Sequence, residues 1–337
     1  MTITPFDSPL LTIAIPTYNR SRYLVRLLNS LMPQLAEESR VELLVSDNAS
    51  SDGTPVAVEE YRSRGLSIRS IRNETNIGPD ANFEQCFAQA SGKYVWIMGD
   101  DDVVLLGGIA TVLDLLSEGE RSGEYDIVHL HGKEISFEDT LPAIHRQPKF
   151  EVIYDARTFA LKTHVFLTFI TANIINRQRV LSLPHRPFSE LTGTYLGQLS
   201  WTYTAVRYLR KGAYLREPII AAGGDNRGGL SLFTIFGVNL KRITEEWLVE
   251  PALVRVILNG TLQVFFPPWA LQTKLGLSRY EGEQLDTLLH SLFPNNLRLY
   301  FFVYPVLRLP NGPARLWLLL CRVINRLDRA IGNPLLR

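Results

Sequence analysis

The first 130 residues alternate short apolar runs with amphipathic segments, and this alternation constrains the fold more than any other feature of the chain. Four of the runs have the length and character of β-strands: Leu10 to Ile15, Val41 to Val45, Ser67 to Ile71 and Tyr94 to Met98. Between them, apolar residues recur every three or four positions, as on one face of a helix. Strands that alternate with helices indicate βαβ units, and therefore a mostly parallel sheet flanked by helices.

A polar loop follows each predicted strand. The loops begin at Pro16 to Asn19, Asp47 to Ser50, Arg72 to Asn73 and Gly99 to Asp102. We expect Pro16 to close the first strand, and Thr54 to cap the helix that begins at Pro55. In open α/β sheets, ligands bind outside the carboxyl ends of the strands, because these ends share one edge. The four loops therefore predict a single binding site.

Three consecutive aspartates, Asp100 to Asp102, follow the fourth predicted strand. Carboxylate oxygens are the hard ligands that Mg²⁺ and Mn²⁺ prefer, and a bound diphosphate can complete the coordination. A metal placed there neutralises the charge that develops on a departing nucleoside diphosphate. The alternative is a solvated turn, in which aspartate is common.

Asp47 ends the second predicted strand. Its carboxylate can accept a hydrogen bond from the ring N–H of uracil, thymine or guanine, whereas cytosine has no proton at the equivalent nitrogen. This interpretation favours a UDP-, dTDP- or GDP-linked ligand over a CDP-linked one. The alternative is that Asp47 only caps its loop.

Four strings of the sequence occur in the order and at the spacing of one known family. They are Ile13 to Arg20, Val45 to Thr54, Arg72 to Gly78 and Ala90 to Asp102. On these strings the chain resembles the family 2 glycosyltransferases, which have the GT-A fold, a Rossmann-like α/β fold. With glycine at position 99, it is similar to a subgroup that includes abequosyltransferase-like enzymes of O-antigen assembly.

The resemblance implies a domain organisation. We expect a GT-A domain over residues 1–230, with a nucleotide-binding half at about 8–130 and an acceptor half at about 131–230. Residues 231–337 are expected to form a helical C-terminal extension.

The resemblance also implies roles for individual residues. Nucleotide binding is expected at Pro16, Thr17, Tyr18, Asn19, Asp47, Asn76, Gly78 and Asp100. Asp101 and Asp102 match the aspartates that hold the metal, so the expected cofactor is Mn²⁺ or Mg²⁺, and Asp102 is also expected to act in catalysis. Common members carry aspartate where this chain has Gly99, and we expect Asp100 to replace its ribose contact.

The usual catalytic base of the family has no counterpart in this chain. Inverting members carry Glu-Asp roughly a dozen residues before a glycine in the second half, and the aspartate deprotonates the acceptor hydroxyl. Gly212 matches that glycine, and counting back from it places Ser200 and Trp201 where the Glu-Asp pair should stand. Neither side chain can act as a general base.

Other residues of the second half are candidates for the missing functions. We expect Glu190 to be the base, with His185 and Asp225 as alternatives that are more typical of a loop and a turn. Arg227 lies in the glycine-rich stretch Gly223 to Gly229, and its guanidinium could grip a diphosphate from a loop over the donor. The alternative for Arg227 is an ordinary surface position.

Residues 297–337 contain seven arginines and one acidic residue, Asp328. Aromatic and aliphatic side chains interleave with these arginines, a pattern typical of a membrane interface with anionic lipid. The alternative is a helix packed on the core with its arginines in solvent. We expect peripheral membrane contact through this region, which would suit a lipid-linked acceptor.

Composition excludes some classes of protein. The formal net charge of +1 gives no field that would recruit nucleic acid. Cys86 and Cys321 are too few for a disulfide framework, which favours a reducing compartment. The N-terminus has no signal-peptide pattern, and the chain has no run of about 18 uncharged apolar residues. We therefore expect a cytoplasmic protein, or one on the cytoplasmic face of the inner membrane.

These patterns predict a glycosyltransferase that moves a sugar from a nucleotide-sugar donor to a saccharide, expected to be lipid-linked, in surface-polysaccharide or O-antigen synthesis. Metal assistance and inversion follow from the resemblance. A sugar nucleotidyltransferase would need a glycine-rich basic loop after the first strand, and an oxidoreductase would need G-x-G-x-x-G there; the chain has neither. A non-catalytic scaffold that binds nucleotide or saccharide stays open, because the Glu-Asp pair is missing.

Overall fold

The computed structural model describes residues 8–136, 148–223, 231–277 and 285–337. Contacts divide the chain into two compact units, one of Met1–Asp155 with Leu167–Asn226 and one of Ala156–Phe166 with Arg227–Arg337. Asp225 and Arg227, both proposed above as site residues, lie outside the described residues. The domain boundary expected near residue 230 stays a prediction.

The described residues of the first unit contain nine strands. They are β1 (Leu11–Thr17), β2 (Val41–Asp47), β3 (Ile68–Arg72), β4 (Tyr94–Ile97), β5 (Val103–Val104), β6 (Ile127–Ile135), β7 (Phe150–Ile153), β8 (Asn173–Asn176) and β9 (Gly212–Gly223). These strands form one sheet in the order β3-β2-β1-β4-β8-β6-β9-β5, and β7 pairs with β9. β1 to β4 run parallel, while β8 is antiparallel to both β4 and β6.

Helices alternate with the first strands and then dominate the rest of the chain. They are α1 (Ser21–Leu35), α2 (Thr54–Ser63), α3 (Pro79–Gln89), α4 (Gly108–Ser122), α5 (Ala156–Thr163), α6 (Arg177–Ser182), α7 (Leu199–Arg207), α8 (Leu240–Leu248), α9 (Pro251–Gly260), α10 (Phe266–Lys274), α11 (Leu285–Leu292), α12 (Tyr304–Arg308) and α13 (Asn311–Ala330). Short 3₁₀ segments cover His164–Thr168, Ile170–Ala172, Phe188–Leu191 and Pro334–Leu336. The π-helical segments Thr234–Asn239, Thr261–Phe265 and Leu299–Val303 continue directly into α8, α10 and α12.

The predicted alternation of strand and helix is confirmed, and its cause is burial on both faces of the sheet. All seven residues of β1 are buried, as expected for a strand covered on both sides. On α1, the four residues predicted to share one face are all buried: Leu24, Leu27, Leu28 and Leu31. They pack into the same apolar cluster as residues of β1, so one core holds helix and sheet together.

Two expected boundaries were wrong. β1 does not stop before Pro16 but continues to Thr17, whose carbonyl accepts the N–H of Asn48 at 2.9 Å. Proline removes only its own donor, so the strand survives it. Thr54 does not cap α2 but is its first residue, and its N–H donates to the Asp52 side chain at 3.0 Å.

The second unit is helical and has its own apolar core. Leu262 and Phe266 pack there with Leu289 and Val303, so the helices α10 and α11 and the π-helical segments share one interior. None of the helices in the described parts of the chain combines the length and the apolar character needed to span a bilayer.

Candidate active site

The carboxyl ends of β1, β2 and β3 lie at one edge of the sheet. Thr17, Asp47 and Arg72 are partners in register, so the three loops that follow start side by side. Next to Thr17, Pro16 is buried within β1, whereas the ring of Tyr18 is 43% exposed at the edge. The expectation that these loops share one edge is confirmed by this register.

Asn19 joins the first loop to the second. Its backbone N–H donates to Ser50 Oγ at 2.9 Å, and its side-chain oxygen accepts the N–H of Ser51 at 2.7 Å. The φ angle of Asn19 is 52°, in the left-handed region that asparagine tolerates better than most residues. Asn19 therefore shapes the two loops through these bonds.

Asp47 carries an unsatisfied acceptor. Its Oδ1 accepts the N–H of Ser50 at 2.9 Å, which holds the loop. Its Oδ2 is buried, lies 3.5 Å from Arg72 Nε and accepts no hydrogen bond within the described residues. A buried acceptor without a donor costs free energy, so a bound N–H group would stabilise this position.

Asn48 organises the third loop, and sequence reasoning missed it. Its Oδ1 accepts the N–H of Ile77 and the side-chain amide of Asn73, both at 3.0 Å. Its own amide donates to Asn76 Oδ1 at 2.8 Å, and the same oxygen accepts the N–H of Gly78 at 2.8 Å. Asn76 and Gly78, two expected nucleotide-binding residues, are thus tied to the loop after β2.

The first two aspartates of the triplet converge on Arg20. Arg20 Nε lies 2.8 Å from Asp100 Oδ1, and Arg20 Nη2 lies 2.9 Å from Asp101 Oδ2. Thr17 Oγ1 donates to Asp100 Oδ2 at 2.7 Å, and the guanidinium lies over the Tyr23 ring, 4.3 Å from its centroid. Sequence reasoning gave Arg20 no role, although its place directly after Asn19 was a signal.

Asp102 is bound by a different set of residues, distant in sequence. Thr171 Oγ1 donates to its Oδ2, and the Gly223 N–H donates to its Oδ1 at 3.0 Å. Thr171 in turn accepts the N–H of Gly99 at 2.9 Å. Nothing in the local sequence pointed to Thr171, because it comes from the segment before β8.

Burial changes the acidity of two of these carboxyl groups. It raises the pKa of Asp100 to about 7, although the Arg20 charge acts in the opposite direction. It raises the pKa of Asp102 to about 8, and the neighbouring Asp101 charge adds to the rise.

Two glycines allow the turn to close. A Cβ at position 99 would lie 3.0 Å from Asp102 Oδ2 and 3.1 Å from Asp101 Oδ1. A Cβ at position 223 would lie 2.5 Å from the Asp101 carbonyl oxygen. A side chain at Gly99 would therefore require the carboxylates of Asp101 and Asp102 to shift slightly.

The fit of this turn to a divalent cation is partial. Among the residues that the structure describes, no three His, Cys, Asp or Glu side chains converge as a metal-binding group. Asp100 and Asp101 converge on a cation, but that cation is the Arg20 guanidinium. Asp101, one of the two expected metal ligands, offers a suitable oxygen ligand for Mg²⁺ or Mn²⁺ once the guanidinium moves away. Both oxygens of the other expected ligand, Asp102, already accept hydrogen bonds from Thr171 and Gly223.

The candidate bases lie in and near the 3₁₀ segment Phe188–Leu191. The Glu190 carboxylate is paired with Arg186, and its described contacts do not reach the aspartates. His185 Nδ1 lies 3.1 Å from the Arg186 carbonyl oxygen, and its ring stacks on Phe188. Whether Glu190 acts as the base stays a prediction.

The positions of the missing Glu-Asp pair face the interior. Ser200 and Trp201 are both buried in α7, and the Trp201 ring stacks on Phe87 with centroids 4.6 Å apart. The loop before α7 is held instead by Asp80, a buried carboxylate missed by sequence reasoning. Asp80 accepts the N–H of Tyr195 at 2.9 Å and that of Gly197 at 3.0 Å.

The comparison with protein families identifies the class. The model of the family described as Glycosyl transferase family 2 matches residues 12–182, just over half of the chain. The chain belongs to this family.

Individual relatives match about a third of the chain. It is 41% identical over 102 residues to abequosyltransferase RfbV of Salmonella typhimurium, which is 30% of this chain and 31% of that protein. It is 32% identical over 112 residues to the GalNAc(5)-diNAcBac-PP-undecaprenol beta-1,3-glucosyltransferase of Campylobacter jejuni, which is 33% of this chain and 36% of that protein. The match thus spans about a third of the length of these relatives.

Solved structures show the fold over nearly the whole chain. The S. aureus TarS 1–349 structure has a TM-score of 0.54 at 19% identity and covers 94% of this chain and 91% of that one. The same protein in complex with UDP has a TM-score of 0.56 at 18% identity and covers 96% and 91%. At this identity the likeness shows the fold alone, and it confirms the expected GT-A architecture with a helical C-terminal part.

Proposed function

We propose that the chain transfers a sugar from a nucleoside-diphosphate sugar to a saccharide acceptor. One observation carries this proposal: Thr17 is the register partner of Asp47 and also binds Asp100. A single strand end therefore connects an unsatisfied carboxylate oxygen, suited to the N–H of a base, with the acidic turn suited to a diphosphate site. Membership of glycosyl transferase family 2 supplies the reaction class.

The donor is proposed to bind with its base at Asp47. The free Oδ2 would accept the ring N–H of uracil, thymine or guanine, so UDP-, dTDP- or GDP-linked sugars are favoured over CDP-linked ones. The solved TarS structures with UDP and with UDP-GlcNAc support a uridine nucleotide as the first candidate. Thr17, Tyr18 and Asn19 would lie beside the nucleotide.

The cofactor is proposed to be Mn²⁺ or Mg²⁺ at Asp101, with Asp102 as the second expected ligand. When bound, such a metal supplies positive charge to the leaving diphosphate. The Arg20 guanidinium must leave Asp101 to make room, and the diphosphate then offers it a new anionic partner. The protein would thus present two cationic groups to the leaving group instead of one.

The acceptor is proposed to be a lipid-linked saccharide of surface-polysaccharide or O-antigen synthesis, at the cytoplasmic face of a membrane. The Campylobacter relative is named for an undecaprenol-linked saccharide acceptor, which supports a lipid-linked acceptor for this chain. Direct displacement with inversion is the proposed course, with Glu190 as the proposed base. The lipid-linked acceptor would give the expected membrane contact of the C-terminal region a purpose.

The decisive experiment is calorimetric titration of UDP, GDP, dTDP and CDP into the wild type and Asp101→Ala, each with and without Mn²⁺. We expect one nucleotide to bind in a metal-dependent manner, and this binding to be lost in Asp101→Ala. Asp114→Ala is the matched control, because Asp114 is exposed on α4. If none of the four nucleotides binds, the transferase proposal is contradicted, and the hypothesis of a non-catalytic scaffold takes its place.

The base contact has a separate test in Asp47→Asn. An asparagine amide can donate to cytosine N3, which the carboxylate cannot do. We therefore expect the variant to lose affinity for the preferred nucleotide, on the order of tenfold, and to gain relative affinity for CDP. An unchanged order of affinity among the nucleotides would show that the nucleobase does not bind at Asp47.

The proposed base is tested by Glu190→Gln, with Arg186→Gln as the control that breaks the same ion pair and keeps the carboxylate. If Glu190 deprotonates the acceptor, Glu190→Gln lowers kcat on the order of 10²-fold or more, and Arg186→Gln does not. Equal small effects would show that the pair is structural. Donor hydrolysis by the wild type with metal would exclude the non-catalytic scaffold.

A further inference from the structure

The C-terminal helix α13 presents apolar side chains in two directions. Ala314, Leu318 and Cys321 are buried in the core of the second unit. A different set of large aliphatic side chains is 44% to 69% exposed: Leu316, Leu319, Leu320, Val323 and Leu327. Scattered exposed aliphatic residues are normal on a protein surface, but a contiguous set marks an interaction site.

These five residues are here called the aliphatic stripe, and four of them lie along one line of the helix. Leu316, Leu320, Val323 and Leu327 follow the spacing i, i+4, i+7 and i+11, which keeps them on one face. Leu319 lies beside that line. The helix has 20 residues and is therefore about 30 Å long, and the stripe runs over more than half of it.

A row of arginines runs parallel to the aliphatic stripe. Arg315, Arg322, Arg326 and Arg329 follow the spacing i, i+7, i+11 and i+14, and all four are exposed. No ion pair within the described parts of the chain involves them. The single acidic residue of α13, Asp328, is buried and accepts the N–H of Leu335 at 2.9 Å. The exposed charged side chains of the helix are therefore all cationic.

Two aromatic side chains flank the other side of the stripe. Trp317 Nε1 donates to the Phe301 carbonyl oxygen at 2.9 Å, and the two rings lie 5.2 Å apart. Phe301 is itself exposed. Aromatic rings with one polar end are suited to the boundary between water and lipid.

We propose that the aliphatic stripe of α13 inserts into the interface of a bilayer that carries anionic lipid, with the arginine row bound to the headgroups. The helix would lie in the plane of the interface, since its opposite side is fixed in the protein core. Charge complementarity selects this occupant, because phosphate headgroups supply the anions that the arginines lack in the protein. A second copy of the chain would bring the same cationic helix and no exposed acid on it.

The test is co-sedimentation of the full chain with vesicles of phosphatidylcholine alone or mixed with phosphatidylglycerol. We expect binding to the mixed vesicles that weakens with salt, as headgroup attraction requires. We expect the double variant Leu316→Ser/Leu327→Ser to bind at least about tenfold more weakly. Its matched control is Val56→Ser/Leu181→Ser, which removes two exposed aliphatic side chains from the first unit.

The arginine row has its own variant pair. Arg322→Gln/Arg326→Gln should weaken binding to the mixed vesicles about tenfold and leave binding to pure phosphatidylcholine unchanged. Arg121→Gln/Arg207→Gln removes two exposed arginines of the first unit and should bind as the wild type does. Circular dichroism of each variant checks that the fold is kept.

Three results would overturn the proposal. They are no binding of the wild type to mixed vesicles, wild-type binding by Leu316→Ser/Leu327→Ser, or a wild-type dimer in gel filtration that this variant converts to monomer. The last result would assign the stripe to a second copy. Nucleotide titration of the same variants is expected to be unchanged, so failure of docking and failure of the transferase proposal are distinguishable.

Discussion

Arginine is used in opposite ways in the two units. In the first unit, Arg20 is fixed by Asp100 and Asp101, and its side chain is 26% exposed. In the second unit, Arg322 and Arg326 of α13 are exposed and have no acidic partner within the described residues. A guanidinium bound by two carboxylates is restricted in its orientation, whereas one without an ionic partner is not restricted in this way.

The difference shows how each unit can recognise a ligand. Arg20 can exchange partners only with a group that enters the site, so its recognition depends on geometry and displaces an existing bond. The arginines of α13 require only a surface of opposite charge, and salt screens that attraction. The first unit is therefore suited to one ligand of defined geometry, whereas α13 is suited to a membrane surface, on which the anionic headgroups have no fixed positions.

The strongest test of this comparison is Arg20→Gln. Removing one partner of a mostly buried ion pair leaves two adjacent carboxylates without compensation, so we expect the free energy of unfolding to fall by about 3 kcal/mol. Without the guanidinium, Mn²⁺ should bind on the order of tenfold more tightly in the absence of nucleotide. Urea denaturation and Mn²⁺ titration followed by electron paramagnetic resonance measure the two effects.

Arg20→Lys is the matched control, since it keeps the charge but not the bidentate reach to both aspartates. Arg20→Lys should recover part of the lost free energy of unfolding. Its affinity for Mn²⁺ in the absence of nucleotide should stay as weak as that of the wild type. If Arg20→Gln leaves both stability and Mn²⁺ affinity unchanged, Arg20 is equivalent to a surface arginine and the comparison fails.

The second prediction concerns the stability of the core of the first unit at acidic pH. His129 is buried, and burial lowers its pKa to about 4, with a further lowering by His131. In the unfolded chain the group returns to its ordinary value near 6.5, so the unfolded state binds the proton first. Stability that is complete above pH 6.5 is therefore lost as pH falls towards 4, by about 2 to 3 kcal/mol.

Urea denaturation across this pH range measures the effect in the wild type and in His129→Gln. The variant removes the titration, so its stability should change less with pH than that of the wild type. His131→Gln, at an exposed position of the same strand, should reduce the wild-type slope only slightly, because burial is the larger cause of the lowered pKa of His129. An identical slope in all three proteins would assign the acid sensitivity to other groups.

The third prediction concerns the loop before α7. Asp80→Asn replaces a carboxylate that holds the Tyr195 and Gly197 N–H groups by a neutral amide. We expect a loss of about 1 to 2 kcal/mol, because bonds to a charged acceptor are stronger. Hydrogen exchange at the two amides should become faster, while Asp114→Asn, at an exposed position of α4, should change neither quantity. Unchanged exchange in Asp80→Asn would show that the loop is held by other contacts.

The sequence was informative wherever the structure is local or follows from parallel pairing. The four leucines of α1 repeat at helical spacing, and burial of one face follows. Strand ends marked by Thr17, Asp47 and Arg72 had to share an edge once the strands were parallel. The aspartate triplet is contiguous, so its place after β4 was visible without a structure.

The remainder depends on contacts between distant residues. Arg20 and Asp100 are 80 positions apart, and no pattern in either segment links them. Thr171 reaches Asp102 only because β8 pairs with β4 in the sheet. On α13 the composition indicated an interface, but only packing shows that Leu318 is buried while Leu316 and Leu320 are exposed.

The smallest expected effect belongs to Arg308 of the second unit. Its Nη2 lies 3.0 Å from Asp286 Oδ1 and 3.1 Å from Oδ2, a geometry as close as that of Arg20. Its side chain is 59% exposed, however, so water and salt screen the attraction, and Arg308→Gln should cost only about 0.5 kcal/mol in urea denaturation. Because the distances are similar, we attribute the expected sixfold difference from Arg20→Gln to burial and to the second carboxylate that Arg20 binds. Equal losses of unfolding free energy in Arg308→Gln and Arg20→Gln would show that burial does not determine what an arginine pair contributes to the stability of this protein.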